Sequence, residues 1–238
     1  MIQYASYSAV GGRPRNEDTV RIKLWDENRL CAVLADGLGG HGGGETASSA
    51  AAAFILDGWK GTATPETLCG LVRGAHQKVL SMQTPTCQMK TTVVVLTVEE
   101  GRFDWAYAGD SRLYHFVDGR RVWQTRDHSA SQIAVLLGQI TPEQIRFHED
   151  RSHIYRALGQ QGGVEAEAGE TALTPGRHAF LLCSDGFWEY VYEAEMEREL
   201  ARAATPQAWL DQMRALMNSR APADNDNNTA AAVWVEQR

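Results

Sequence analysis

Leu30-Cys31-Ala32-Val33-Leu34-Ala35-Asp36-Gly37-Leu38-Gly39-Gly40-His41-Gly42-Gly43-Gly44-Glu45-Thr46-Ala47-Ser48 is the stretch around which the chain is organised. Leu30 to Ala35 is short and apolar throughout, which predicts a buried strand closed by a turn signal. Asp36 stands at its end. The glycines that follow permit positive φ and let backbone amides and carbonyls approach an ion or a phosphate closely. An ordinary flexible turn is one reading, since Asp-Gly is a common turn dipeptide. A phosphate-cradling P-loop is another, but it requires Gly-Lys-Ser/Thr where this loop continues Gly44-Glu45-Thr46. A carboxylate holding a cation at the strand end is the third, and the rest of the chain decides among them.

Working outward, Ile2 to Val10 alternates as a strand and ends at Gly11-Gly12. Arg13-Pro14-Arg15-Asn16-Glu17-Asp18 then leads into a strand-like Thr19 to Leu24. Glu45 to Trp59 has helical spacing, and a second helix opens with Thr64 as N-cap and Pro65 in its first turn. From Thr91 the period becomes two. Thr91 to Val98, Phe103 to Ala108, Leu113 to Val117 and Arg121 to Thr125 read as an antiparallel meander, interrupted once at Gly109-Asp110-Ser111-Arg112. Ser129 to Leu137 predicts a short helix and Thr141-Pro142-Glu143 another helix start. Strands are expected at Val164 to Leu173 and Ala179 to Cys183, helices at Glu193 to Ala203 and Pro206 to Met217, and a last strand at Thr229 to Val235. No repeat or linker divides the 238 residues, so one domain is expected.

The chain has 30 Asp plus Glu against 23 Lys plus Arg, a net charge of -7 without a basic stripe, which argues against nucleic acid or an anionic membrane as its partner. Cys31, Cys69, Cys87 and Cys183 form no CxxC pair, so reduced thiols and a cytoplasmic location are expected. No secretory signal or spanning segment is visible.

Four apolar runs stop at, or start from, an aspartate: Asp36, Asp110, Asp185 and Asp226. Strand ends gathered at one rim of a β core would bring these carboxylates together, and so concentrated they imply bound cations. Oxygen ligands favour Mg²⁺ or Mn²⁺ over zinc. Asp36, Asp185, Asp226 and Glu17 carry four negative charges, which two divalent ions neutralise. Two such ions about 3.5–4 Å apart lower the pKa of a bridging water and hold phosphate oxygens, so no side-chain nucleophile is required. Arg13, with Arg15 as runner-up, is the expected bidentate phosphate contact.

Taken together, R-P-R-N-E-D (Arg13 to Asp18), D-G-L-G-G-H-G-G-G-E (Asp36 to Glu45), G-D-S-R (Gly109 to Arg112), D-H-S (Asp127 to Ser129), S-D-G-F-W-E (Ser184 to Glu189) and D-N-N-T (Asp226 to Thr229) resemble the bacterial type 2C, or PPM, metal-dependent protein phosphatases over almost the whole chain. The resemblance implies an α+β fold, a four-layer α-β-β-α sandwich of two antiparallel sheets flanked by helix pairs, over residues 1–238. It implies hydrolysis of phosphoserine and phosphothreonine in proteins, opposing a serine/threonine kinase, by a monomeric enzyme. By position, Asp36 would bridge two Mn²⁺ or Mg²⁺ ions, Gly37 would lend a carbonyl, and Asp185 and Asp226 would complete the pair. Glu17 and Asp18 would hold ion-bound waters. Asp110 with Asp185 looks like a third ion site, residues 131–150 like a mobile flap, and His41 like the proton donor to the leaving group, with a structural histidine as the alternative.

Two positions depart from the family's pattern. Lys90 stands before Thr91-Thr92 where glycine is usual, and this Met-Lys-Thr stretch is similar to phosphatases that oppose a kinase controlling type VI secretion. Asp224 also precedes a D-N pair, but Asp226 leads directly into the final strand and is preferred. Other readings are a two-metal hydrolase of small phosphoesters and a regulatory pseudoenzyme that keeps the fold. For Asp127-His128-Ser129 a helix N-cap is as good a reading as a catalytic one. The remaining histidines lack metal-ligand spacing, Trp188 is expected to pack, and no cysteine opens a phosphate loop.

Overall fold

The computed structural model describes residues 1–38 and 43–237. In chain order the elements are β1 (Ile2–Ala9), β2 (Thr19–Asp26), β3 (Arg29–Ala35), β4 (Gly37–Leu38), α1 (Gly44–Gly58), α2 (Pro65–Met82), β5 (Lys90–Thr91), β6 (Val93–Glu99), β7 (Arg102–Ala108), β8 (Arg112–Val117) and β9 (Arg120–Gln124). There follow α3 (Ala130–Leu136), a 3₁₀ turn (Pro142–Phe147), β10 (Glu167–Ala172), β11 (Gly176–Cys183), α4 (Asp185–Trp188), α5 (Glu193–Arg202), α6 (Pro206–Arg220) and β12 (Asn228–Gln237).

Period-two alternation distributes the apolar side chains over three cores. Between the sheets lie Leu30, Leu34, Val94, Leu96 and Phe103 from one side and Leu113, Phe180, Leu182, Ala231 and Val233 from the other. The opposite faces of the same strands carry Cys31, Val33, Val93 and Val95 against α1 and α2, and Tyr114, Phe116, Leu181 and Ala232 against α5 and α6. The result is helix pair, sheet, sheet, helix pair. One sheet runs β1-β12-β11-β8-β9 and the other β10-β7-β6-β3-β2, with antiparallel pairing throughout.

The expected meander is not one sheet. Strands β6 and β7 pair with each other, but β8 and β9 belong to the opposite sheet, so the chain crosses between sheets at Gly109-Asp110-Ser111. Gly109 makes the crossing possible, with φ +118° and the side chain of Thr92 only 2.6 Å from where a Cβ would sit. A second difference lies at Thr92, which divides the predicted Thr91 to Val98 strand into β5 and β6 because its amide and its hydroxyl both turn to Asp36, whose carbonyl accepts from the first and whose amide donates to the second.

Register places the ends that matter on one rim. Ala9 pairs with Asn228, Thr19 with Ala35, Val93 with Ala108 and Cys183 with Ala230. Each predicted aspartate therefore emerges at that rim.

Candidate metal centre

Four loops and a helix start build the centre. The loop before β2 brings Glu17 and Asp18, and it is tied to the start of β12 by Asn227. That side chain accepts from the Glu17 amide at 2.7 Å and donates to the carbonyls of Val10 and Arg15 at 2.7 and 2.9 Å. Asp36 follows β3, where its carbonyl accepts from the Thr91 hydroxyl and the Thr92 amide, both at 2.8 Å. Gly37 is pressed between two backbones. Its amide donates to the Glu17 carbonyl at 3.1 Å, and a Cβ there would lie 2.4 Å from Gly44. Asp185 opens α4, an element the sequence pattern did not announce, directly after β11.

Asp18 is buried, and its Oδ2 accepts from the Ser184 hydroxyl at 2.8 Å, whose oxygen in turn accepts from the Thr229 amide at 3.0 Å. This relay joins the first loop to the end of β11 and the start of β12. Asp110 is buried at the sheet crossing, where the Trp188 indole donates to its carbonyl at 3.0 Å. One carboxylate oxygen each of Asp18 and Asp110 is buried without any partner. In a folded interior that is costly, and an ion is the natural counterpart.

The carboxylates perturb one another as close neighbours do. Burial, followed by the charges of Asp18, Asp185, Asp110 and Asp226, holds Asp36 well above the usual carboxylate range. Burial, Asp226, Glu189 and Asp18 push Asp185 up to about 7, and burial pushes Asp18 to about 6 against the hydroxyls that stabilise its charge. Asp110 is raised well above its ordinary value by burial and by Asp185. Glu17 is raised chiefly by burial, with the Gly44 amide pulling the other way. An ion-free cluster of this kind prefers to be partly protonated, and a divalent cation substitutes for those protons.

Among the described residues no group of three or more His, Cys, Asp or Glu closes around one point as a finished cage. The rim is open, and Asp226 is turned onto Arg13, whose Nη2 donates to its Oδ2 at 2.7 Å. The donor set consists of oxygens alone, which suits Mn²⁺ or Mg²⁺. Beside it lies a cavity of about 250 Å³ lined by Arg13, Arg151, Asp185, Glu189 and Asp226 among others.

Of the predicted residues, Glu17, Asp18, Asp36, Gly37, Asp110, Asp185, Asp226 and Arg13 meet at this rim. His41 lies outside the described residues. Asp224 is exposed, whereas Asp226 is the one that perturbs Asp36 and Asp185. Lys90 is exposed, opposite Leu38 in the short β4–β5 pair. In the segment 131–150, the 3₁₀ turn is anchored by the buried Arg146, whose Nη2 donates to both Glu193 oxygens at 2.7 Å and whose Nη1 donates to the Trp188 carbonyl at 2.6 Å. Ser129 caps α3, accepting from the Gln132 amide at 3.3 Å. Sequence reasoning missed Asn227 and Ser184 as organisers, although both lie inside motifs it had singled out.

The protein phosphatase 2C family profile matches residues 8–229. The serine/threonine phosphatase stp of Listeria monocytogenes is 30% identical over 236 residues, covering 93% of this chain and 92% of its own. Among solved structures, the catalytic domain of the serine threonine protein phosphatase PstP in complex with two manganese ions superposes with a TM-score of 0.82 at 28% identity, over 99% of both chains. PppA, a key regulatory component of the type VI secretion system in Pseudomonas aeruginosa, gives a TM-score of 0.76 at 27% identity, over 98% of this chain and 96% of its own.

Proposed function

The chain belongs to the protein phosphatase 2C family and is a serine/threonine phosphatase, and from that premise we propose that it hydrolyses phosphoserine and phosphothreonine in proteins at two Mn²⁺ or Mg²⁺ ions held by Asp36, Gly37, Asp185 and Asp226. The observation that carries this reading is the crowding of five aspartates at one rim, of which only Asp226 makes an ion pair among the described residues. Such ions, when bound, supply an activated water and neutralise phosphate oxygens. The chain's own groups do the rest. Asp36 would serve both ions, Glu17 and Asp18 would orient waters, and Asp110 with Asp185 would hold a third, more weakly bound ion. Arg13, exposed at the mouth, exchanges its contact with Asp226 for two oxygens of the incoming phosphate. His41 is assigned the proton for the departing alkoxide, and residues 131–150 the choice of substrate. The partners are then phosphoproteins of a serine/threonine kinase pathway, met by a cytoplasmic monomer.

Phosphate release from phosphopeptides should require Mn²⁺ or Mg²⁺ and vanish in Asp36→Ala. Full turnover by that variant, or by the chelated enzyme, would sink the assignment. A hydrolase of small phosphoesters would instead turn over p-nitrophenyl phosphate with the higher kcat/KM, and a regulatory pseudoenzyme would turn over neither. A narrower placement, opposite a kinase of type VI secretion, is supported by the likeness to PppA and by Met89-Lys90-Thr91. Phosphoproteomes with and without the gene test it.

A further inference from the structure

Asp110 reaches the rim from a crossing between sheets, so something must fix that crossing. On one side, Gly109 has no slack against Thr92, and the Thr92 and Ser111 hydroxyls are 2.7 Å apart. On the other side stands His128, which is buried. Its backbone amide donates to the Gly109 carbonyl at 3.0 Å, and the Gly109 amide donates back to His128 Nδ1 at 3.0 Å. With Nδ1 accepting, the ring proton sits on Nε2 and is donated to Glu167 Oε1 at 3.0 Å. Arg156, 2.9 Å from the same nitrogen and 3.6 Å from Glu167, then pairs with the carboxylate. Tyr107 donates its hydroxyl to the other Glu167 oxygen at 2.7 Å and stacks on the imidazole at 4.7 Å with the rings 5° from parallel. Every degree of freedom of this ring is taken.

The same residue closes the base of the 131–150 segment. The Tyr155 amide donates to the His128 carbonyl at 3.0 Å, and the Ala130 amide to the His153 carbonyl at 2.9 Å.

We infer that His128 is a positioning residue: its Nδ1, oriented by Glu167 and Tyr107, holds the Gly109-Asp110 crossing so that the unpartnered Asp110 oxygen faces the ion site. This rests on Asp110 being an ion ligand, as read above. In this reading His128 acts on the ion site through the Gly109 backbone. Groups in that outer position commonly cost 10–100-fold in metal affinity when removed.

The test is Mn²⁺ titration calorimetry on the EDTA-stripped chain, with ion-free melting as the fold control. His128→Ala should weaken the weakest-bound ion by about 10-fold or more. His128→Asn places an amide oxygen where Nδ1 lies and should recover most of that loss. His128→Gln places its amide near Nε2, keeps the Glu167 contact, and should not recover it. Wild-type affinity in the alanine variant, or rescue by glutamine as good as by asparagine, would overturn the inference. Should the alanine variant fail to fold, the asparagine and glutamine pair still decides. A wild-type chain that binds no Mn²⁺ would overturn the functional reading and, with it, the ion that Asp110 is held to meet.

Discussion

Two clusters of charge are packed into this chain, one balanced and one not. Around Arg112, which is 3% exposed, the fork onto Asp127 closes at 2.8 and 2.7 Å, and the guanidinium lies 3.5 Å over the Trp188 ring. Arg146 Nη2 donates to both oxygens of Glu193 next door, so two guanidiniums answer two carboxylates. At the rim, Asp18, Asp36, Asp110, Asp185 and Asp226 share a small space, and among the described residues their one direct ion pair is Asp226 with Arg13. A neutralised cluster fastens elements together. An unneutralised one stores repulsion that a cation relieves, and its members are arranged for a ligand rather than for the fold.

The two clusters should respond oppositely to the loss of one carboxylate. Asp185→Asn is expected to lower phosphopeptide turnover about a thousand-fold or more, some 4 kcal/mol of transition-state stabilisation. The ion-free variant should melt no lower than the wild type, because it loses a repelling charge. A clear fall in its ion-free melting temperature would erase the distinction. Asp127→Asn strands the buried Arg112 and should cost about 3–5 kcal/mol in denaturant unfolding. A loss under 1 kcal/mol would show that the Arg112 cluster is not a fastening.

Saturating the rim sharpens the same contrast. An ion that binds only the folded chain adds about 2.7 kcal/mol at 100 times its dissociation constant. Melting curves in EDTA and in Mn²⁺ should separate accordingly, and coincident curves would count against an acidic ion site.

The most gradual effect concerns a third polar group, which carries no charge. His115 Nε2 donates to His178 Nδ1 at 2.9 Å, and His178 Nε2 donates to the Thr174 carbonyl at 2.7 Å. Burial, helped by His178, pushes His115 down from 6.5 to about 4. Between those values the unfolded chain binds a proton that the folded chain refuses. Stability is therefore complete above pH 6.5 and falls as the pH drops toward 4, by up to about 1.4 kcal/mol per pH unit. His115→Gln, which retains the donor, should flatten the slope relative to wild type in chelated buffer. Parallel slopes would exclude this histidine as the source.

Much of this was legible in the sequence, for local reasons. Asp36, Asp185 and Asp226 stand where apolar runs break off, and period-two alternation fixed the strands that carry them to one rim. Thr64 and Ser129 were readable as caps because a cap acts within three residues. The sheet crossing was not legible, since alternation is the same whichever sheet a strand joins. Nor was the hold of Asn227 on Glu17, 210 residues away, because no periodicity encodes a contact at that distance. Arg112 and Asp127 stood in two recognised motifs fifteen residues apart, and their opposite charges were the available signal.

Strands β1 and β12 are direct neighbours, with Ile2 facing Val235 and Ala9 facing Asn228. Such distant pairing makes assembly slow. It also means that a chain still being synthesised owns most of its acidic residues long before they can meet. Asp226 arrives with the final strand, and Asn227 then draws the Arg13–Asp18 loop into place. The proposed ion site is thus complete only once β12 has been made and paired, and a polypeptide cut short before β12 is expected to leave phosphoproteins untouched.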